Sequence, residues 1–189
     1  MLIALTGSIG SGKSAAAKIF QACGFDVVNA DNIARSLLEN DAKIRLAISD
    51  ILGKEAFEKD GSPNRKIIAQ KIFSDKKLLE RVESTMHPAI MKTALEGVNS
   101  GVRVVEVPLL FEKKLEGNFD LCIMVYCSDF LRFRRLRIDR GMSDAEIFAR
   151  DALQMPQKTK AELADVVLFN EGGLDFLNRQ ISLFISRLS

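Results

Sequence analysis

The chain has 189 residues, 47% of them hydrophobic and 28% charged, which suits a folded globular protein with room for one substantial core and little for two independent ones. A formal net charge of +2 gives no overall field favouring nucleic acid or an anionic membrane, so any anion site has to be local. The start Met-Leu-Ile-Ala-Leu has no basic leader segment, no apolar run approaches the ~20 residues of a bilayer span, and Cys23, Cys122 and Cys127 make no metal-type pair and read as reduced thiols. The expectation is a cytoplasmic protein without nucleic-acid or membrane partners.

Along the chain, Leu2 to Leu5 is apolar at every position, as in a strand covered on both faces. A glycine-rich turn follows, then a helical pattern over 14–22 and a second strand, Asp26 to Asn29. The patterns at 41–52 and 64–73 are amphipathic helices, separated by the turn-like Lys59-Asp-Gly-Ser-Pro63. The stretch 75–98 reads as a longer helix interrupted at Pro88. Strands return at Val102 to Val107 and at Leu121 to Tyr126, followed by an arginine-rich helical region over 129–155. Val166 to Phe169 is a fifth strand, and a last helix aligns Leu177, Ile181, Phe184, Ile185 and Leu188 on one face. This alternation predicts an α/β fold with a five-stranded parallel sheet and right-handed crossovers. About seventy mostly helical residues between the second and third strands, and the arginine-rich block between the fourth and fifth, read as two insertions on that sheet.

Gly7-Ser-Ile-Gly-Ser-Gly12-Lys13-Ser14 fits G-x-x-x-x-G-K-[ST], the P-loop, in its required context after a strand and before a helix. Glycines allow the backbone to turn with positive φ and aim several N–H groups at one point, and the following helix presents its positive end there. A triphosphate suits that place. Lys13 reaches its β- and γ-phosphates and the Ser14 hydroxyl ligates Mg²⁺. What receives the phosphoryl group is a separate matter. Asp31 follows the second strand, where a carboxylate can take a proton from an attacking hydroxyl; equally, it can cap a helix starting at Asn32.

The chain resembles the dephospho-coenzyme A kinases. The resemblance rests on ALTGSIGSGKS at the start, ADNIAR at 30–35 and NR at 64–65 before a helix ending in IF. It continues with MHPAI at 86–90, VPLLFE at 107–112 and ALQMPQKTKAELADVVLFNEGG at 152–173. It implies transfer of the ATP γ-phosphoryl to the ribose 3′-hydroxyl of dephospho-coenzyme A. The implied architecture is a three-layer P-loop fold in which 1–33, 98–128 and 160–189 form the core. In it, 34–97 is a helical acceptor insertion and 129–159 a helical lid. Lys13, Asp31 and Arg140 become catalytic residues, with Asp31 as general base. ATP is expected on Ser8, Ile9, Gly10, Ser11, Gly12, Lys13, Ser14, Ala15, Arg135 and Asn170, and the acceptor on Asp31, Arg35, Arg65 and His87. Two departures fall in the lid. The family often has glutamine where this chain has Arg132, and an arginine in register with Asp139 where this chain offers the adjacent Arg140.

Several residues also admit plainer readings. Six arginines, Arg132, Arg134, Arg135, Arg137, Arg140 and Arg150, crowd one helical region, and most of them suit an ordinary solvated face. His87 has no Cys or His partners in the sequence pattern and is no metal site; at a proline it is as readily held by local hydrogen bonds. Glu106 stands near the end of the third strand, either beside Mg²⁺ through water or as a sheet-edge carboxylate with a structural partner. Competing functions are another small-molecule kinase and a GTPase switch. Asp50-Ile-Leu-Gly53 fits D-x-x-G, but in a helical segment and with no N-K-x-D. A nucleic-acid-dependent ATPase is poorly matched to the near-neutral charge.

Overall fold

The computed structural model describes residues 1–96 and 101–188, so the expected junction of insertion and core at 97 and 98 lies outside the described residues, as does the end of the helix read over 75–98. The chain divides into two compact units, Met1–Val28 with Val98–Ser189, and Asn29–Gly97.

In the first unit β1 (Leu2–Thr6) is buried at all five positions. It lies at the middle of a parallel five-stranded sheet ordered β2-β3-β1-β4-β5, formed with β2 (Asp26–Asn29), β3 (Arg103–Glu106), β4 (Leu121–Tyr126) and β5 (Val166–Phe169). Ile3 is in register with Val104 on one side and Leu121 on the other. With both flanks paired and both faces covered, every side chain of β1 has to be small or apolar, which is why its sequence does not alternate. On one face α1 (Lys13–Ala22) inserts Ala16, Ala17 and Phe20. There α9 (Leu174–Ile185), which follows β5, adds Leu177 and Ile181 to the same core cluster. Burying each of the larger side chains contributes about 1.5–3 kcal/mol. Phe20 also meets Phe25 and Phe184 edge-on, with ring centroids 5.6 and 6.1 Å apart. Between β2 and β3 run the helices of the second unit: α2 (Ala30–Asn40), α3 (Ala42–Leu52), α4 (Arg65–Ser74) and α5 (Lys76–Leu95). Here α5 packs on α2, α3 and α4 around a separate small core of Ile48, Leu52, Ala56 and Met86. Between β4 and β5 lie α6 (Asp129–Arg140), α7 (Asp144–Asp151) and α8 (Gln157–Leu163), all of the first unit.

One expected interruption is corrected. Pro88 does not interrupt α5, which continues for 20 residues with the proline inside it. In the turn before it, the Ser84 and Thr85 hydroxyls donate to the Arg81 carbonyl at 2.9 and 3.0 Å. The helical region 129–155 holds two helices, α6 and α7. Gly141, at φ 61°, ends α6 in a left-handed turn, and Ser143 with Glu146 forms a capping box that restarts the chain as α7.

Candidate active site

The glycine loop joins β1 to α1, and its geometry explains its glycines. Gly10 and Gly12 take φ of 79° and 97°. A Cβ on Gly10 would stand 2.8 Å from the Arg132 carbonyl oxygen, and one on Gly12 would stand 2.1 Å from Asn170 Nδ2. The loop is therefore curled in a way side chains resist, and it is also pressed between neighbours. At its end α1 starts on Gly12 with no side-chain cap: the Gly12 carbonyl accepts from the Ala15 and Ala16 amides at 3.0 and 3.1 Å, and no side chain of the cap residue serves the amides of Lys13 and Ser14. An anion is the natural acceptor at such a helix start. The Lys13 ammonium folds back over the loop and donates to the Gly7 and Ser8 carbonyls at 2.6 and 3.2 Å. Ser14 is exposed at the mouth of the helix.

A polar layer supports the loop from behind. Asn170, 5% exposed, donates from Nδ2 to the Ser11 carbonyl at 2.8 Å. Arg135 donates from Nη2 to the Asn170 carbonyl at 3.0 Å and lies 3.2 Å from the Cys127 sulfur. Arg132 is 2% exposed and gives its guanidinium to Asp129, Asp151 and the Ile9 carbonyl at 2.8, 2.7 and 3.3 Å. Burial works to lower its pKa, but the hydrogen bonds it donates to Asp151 and Asp129, with the attraction of their charges, outweigh it and the net shift is upward. Ile9, expected among the phosphate donors, instead gives its N–H to Gln154 Oε1 at 2.8 Å. Lys160 is fully buried, pairs with Glu112 at 2.7 Å and donates to the Pro108 carbonyl at 3.2 Å. Gln157, 8% exposed, ties the Cys127 carbonyl to Asp129, at 2.8 Å each.

Of the residues expected on ATP, Asn170 lies against the loop through Ser11 and Arg135 lies behind Asn170, while Arg140, expected to be catalytic, lies exposed at the end of α6. Sequence reading missed Gln154, Gln157, Asp151 and the Glu112–Lys160 pair. Nothing in a polar helical pattern distinguishes a lysine that turns inward from one that faces water. The one available signal was that Gln154 and Lys160 fall in the segment shared with the family.

In the second unit the helix-cap reading of Asp31 is overturned. Asn29, not Asp31, caps α2: its Oδ1 accepts from the Asp31 and Asn32 amides at 2.9 and 3.1 Å. The Asp31 side chain is exposed in the first turn of α2 and lines a cavity of about 270 Å³ with Arg35 and Arg65 over an apolar wall that includes Leu38, Ile68 and Ile72. Arg65 is ion-paired with Glu39. His87, half-buried on α5, lies outside that lining.

A parallel sheet whose central strand runs into a glycine loop with a following lysine and a helix start without a side-chain cap defines a P-loop nucleotide-binding fold. Solved structures agree on the fold: a shikimate kinase from Acinetobacter baumannii superposes with a TM-score of 0.55 at 14% identity, covering 98% of this chain and 93% of its own. Residues 1–175 match the family described as Dephospho-CoA kinase. A dephospho-CoA kinase of Carboxydothermus hydrogenoformans is 33% identical over 98% of this chain and 93% of its own. The crystal structure of TT1252 from Thermus thermophilus matches with a TM-score of 0.85 at 31% identity, covering 100% and 98% of the two chains. The dephospho-CoA kinase from Campylobacter jejuni gives 0.62 at 25% identity, covering 100% and 97%. The chain belongs to the dephospho-CoA kinase family. It is an ATP-dependent phosphotransferase that acts on dephospho-CoA in the final step of coenzyme A synthesis, and neither another small-molecule kinase nor a GTPase switch is favoured. No helix among the described residues is long and apolar enough to cross a membrane.

Proposed function

We propose that the glycine loop, the first amides of α1 and Lys13 hold the ATP triphosphate, and that Asp31 takes the proton of the ribose 3′-hydroxyl as the γ-phosphoryl group is transferred. Lys13 then leaves the loop carbonyls for the phosphates, an exchange of neutral acceptors for charged ones that favours the bound arrangement. Arg140 is the arginine assigned to charge spread over the transferring oxygens, while Arg135 supports the ATP side through its contacts to Asn170 and Cys127. In this reading 129–159 acts as the lid, 34–97 as the acceptor insertion, and 1–33, 98–128 and 160–189 as the core. Arg35 and Arg65 take the acceptor's anionic groups, the apolar wall beside them takes its pantetheine arm, and His87 contributes to the same acceptor.

Among the described residues no group of three or more acidic, histidine or cysteine side chains is arranged to hold a metal ion. That donor chemistry fits Mg²⁺ carried mainly by phosphate oxygens and water, with the exposed Ser14 hydroxyl as a protein donor. Bound there, Mg²⁺ supplies charge neutralisation between the β- and γ-phosphates.

The observation that carries the base assignment is the Asn29 cap. Because Asn29 satisfies the start of α2, the Asp31 carboxylate is not consumed as a helix cap. Asp31→Asn keeps the size and loses the proton acceptor. Transfer should slow by roughly 10²–10⁴-fold with ATP affinity unchanged. Turnover within tenfold of the parent enzyme would remove Asp31 from the chemistry.

A further inference from the structure

We propose that Gln154 and Arg132 are positioning residues for phosphoryl transfer, gripping Ile9 by both of its main-chain polar groups and so tying the α6–α8 segment to the phosphate loop. The proposal rests on the reading that this loop holds ATP. Gln154 Oε1 accepts the Ile9 N–H at 2.8 Å, and Arg132 Nη1 donates to the Ile9 carbonyl at 3.3 Å. The two jaws share one support. Asp151 accepts from Arg132 at 2.7 Å and, through its carbonyl, from the Gln154 amide at 2.9 Å. The next residue, Met155, donates its N–H to Glu112 Oε1 at 2.8 Å, and that carboxylate is held by the buried Lys160. A displacement of 151–155 therefore acts on both sides of Ile9 at once.

The loop needs such an external hold. Ile9 is followed by Gly10 at φ 79°, a residue with no Cβ to limit its rotation, and Gly7 and Gly12 add two more pivots. Packing supplies part of the restraint, since Gly10 lies directly against the Arg132 backbone and Leu136. Direction comes from the hydrogen bonds. Fixing the N–H and C=O of Ile9 sets the peptide planes on either side, and hence the orientation of the Gly10 amide; the Ser11 amide is already held inside the loop by the Ser8 carbonyl at 3.1 Å. Arg132 has two carboxylate partners that already satisfy its charge, so its reach to the loop carbonyl adds orientation rather than charge balance. The role is distinct from that of Arg140, which is exposed.

The test is Gln154→Met, close in volume but without an acceptor for the Ile9 amide. Affinity for ATP should fall about tenfold or more, with the KM for dephospho-CoA within about twofold and the folded protein intact by circular dichroism. An ATP affinity within twofold of the parent protein would overturn the proposal. Arg132→Gln keeps a neutral donor toward the Ile9 carbonyl and should preserve ATP affinity better than Arg132→Met; equal losses would count against it. Should the variants fail to fold, amide hydrogen exchange on the unaltered protein decides: the Ile9 amide must be protected well beyond an open loop amide, and exchange at the open-loop rate refutes the grip. Lys13→Ala separates the two levels of inference. If it abolishes ATP binding while Gln154→Met does not change it, the loop reading stands and the grip falls. If neither changes it, the loop reading itself falls.

Discussion

Gly12 shows how much of the site is decided at single residues. It ends the phosphate loop at φ 97° and lies so close to Asn170 that a methyl group would stand 2.1 Å from Nδ2. Gly12→Ala therefore faces left-handed strain of roughly 1–2 kcal/mol and must also push Asn170 off the Ser11 carbonyl. The expected result is loss of ATP affinity by more than about tenfold with the rest of the fold retained. Calorimetric titration checks it, and unchanged affinity would mean that the loop relaxes at no cost. The P-loop itself was legible because its residue types are forced by this geometry. The cap of α2 was not, because Asn29 and Asp31 are both favoured capping residues and only the backbone tells which one does it. Cysteines behave as their burial dictates. Cys23 is exposed, whereas burial, then the nearby Asp165 and Glu116 charges, push the Cys122 thiol up to about 11 and burial also raises Cys127. In the unfolded chain these groups return to about 8.5. The raised folded value means that the contribution of Cys122 to stability is complete below that range and is lost as pH rises toward 11. At pH 8 iodoacetamide should label Cys23 in the folded protein and all three thiols in denaturant, as read by peptide mass spectrometry; labelling of Cys122 without denaturant would contradict its burial.

At the scale of elements, the strands and most helices follow from the sequence because burial imposes apolar runs on β1 and β4 and a one-sided stripe on α9. What the pattern concealed lies in α6–α8. Arginine- and lysine-rich helices look solvated in sequence, yet Arg132 and Lys160 are among the least exposed residues of the chain. They turn inward because carboxylates from other elements, Asp151 and Glu112, wait for them, and such pairings across 19 and 48 positions leave no local trace. Lys160 is the sharper case. It is fully buried, and Glu112 Oε2 is buried without a hydrogen-bond partner among the described residues, so the Lys160 ammonium is the one charge that balances a carboxylate otherwise held only by the Met155 N–H. Lys160→Met should destabilise the protein by about 3–5 kcal/mol by leaving a buried charge uncompensated. Adding Glu112→Gln should recover a good part of the loss, since the amide oxygen still accepts from Met155 and no charge remains. Denaturant melts of the two single variants and the double variant measure it; strictly additive effects would show that the pair does not act as a unit.

Over the whole molecule, the two ligands are assigned to different parts of the chain. The phosphate loop and its supports belong to Met1–Val28 and Val98–Ser189, and the cavity with Asp31, Arg35 and Arg65 belongs to Asn29–Gly97. A substitution confined to the second unit should then change acceptor kinetics and leave ATP kinetics alone. Arg65 gives the cleanest test because its present partner is weak. Its side chain is 58% exposed and that of Glu39 is 41% exposed, and ion pairs of that exposure contribute about 0–1 kcal/mol. A phosphate, which Arg engages with two parallel hydrogen bonds, readily displaces such a carboxylate. Arg65→Ala should raise the KM for dephospho-CoA about tenfold or more while the KM for ATP stays within twofold. Glu39→Gln removes the competitor without touching the cavity lining, so it should lower the acceptor KM by about two- to threefold, and high salt should erase most of that gain. Steady-state kinetics with each substrate varied in turn measures both. If Arg65→Ala moved the two KM values together, or if Glu39→Gln raised the acceptor KM, Arg65 would be a strut of its own unit rather than a ligand for the acceptor.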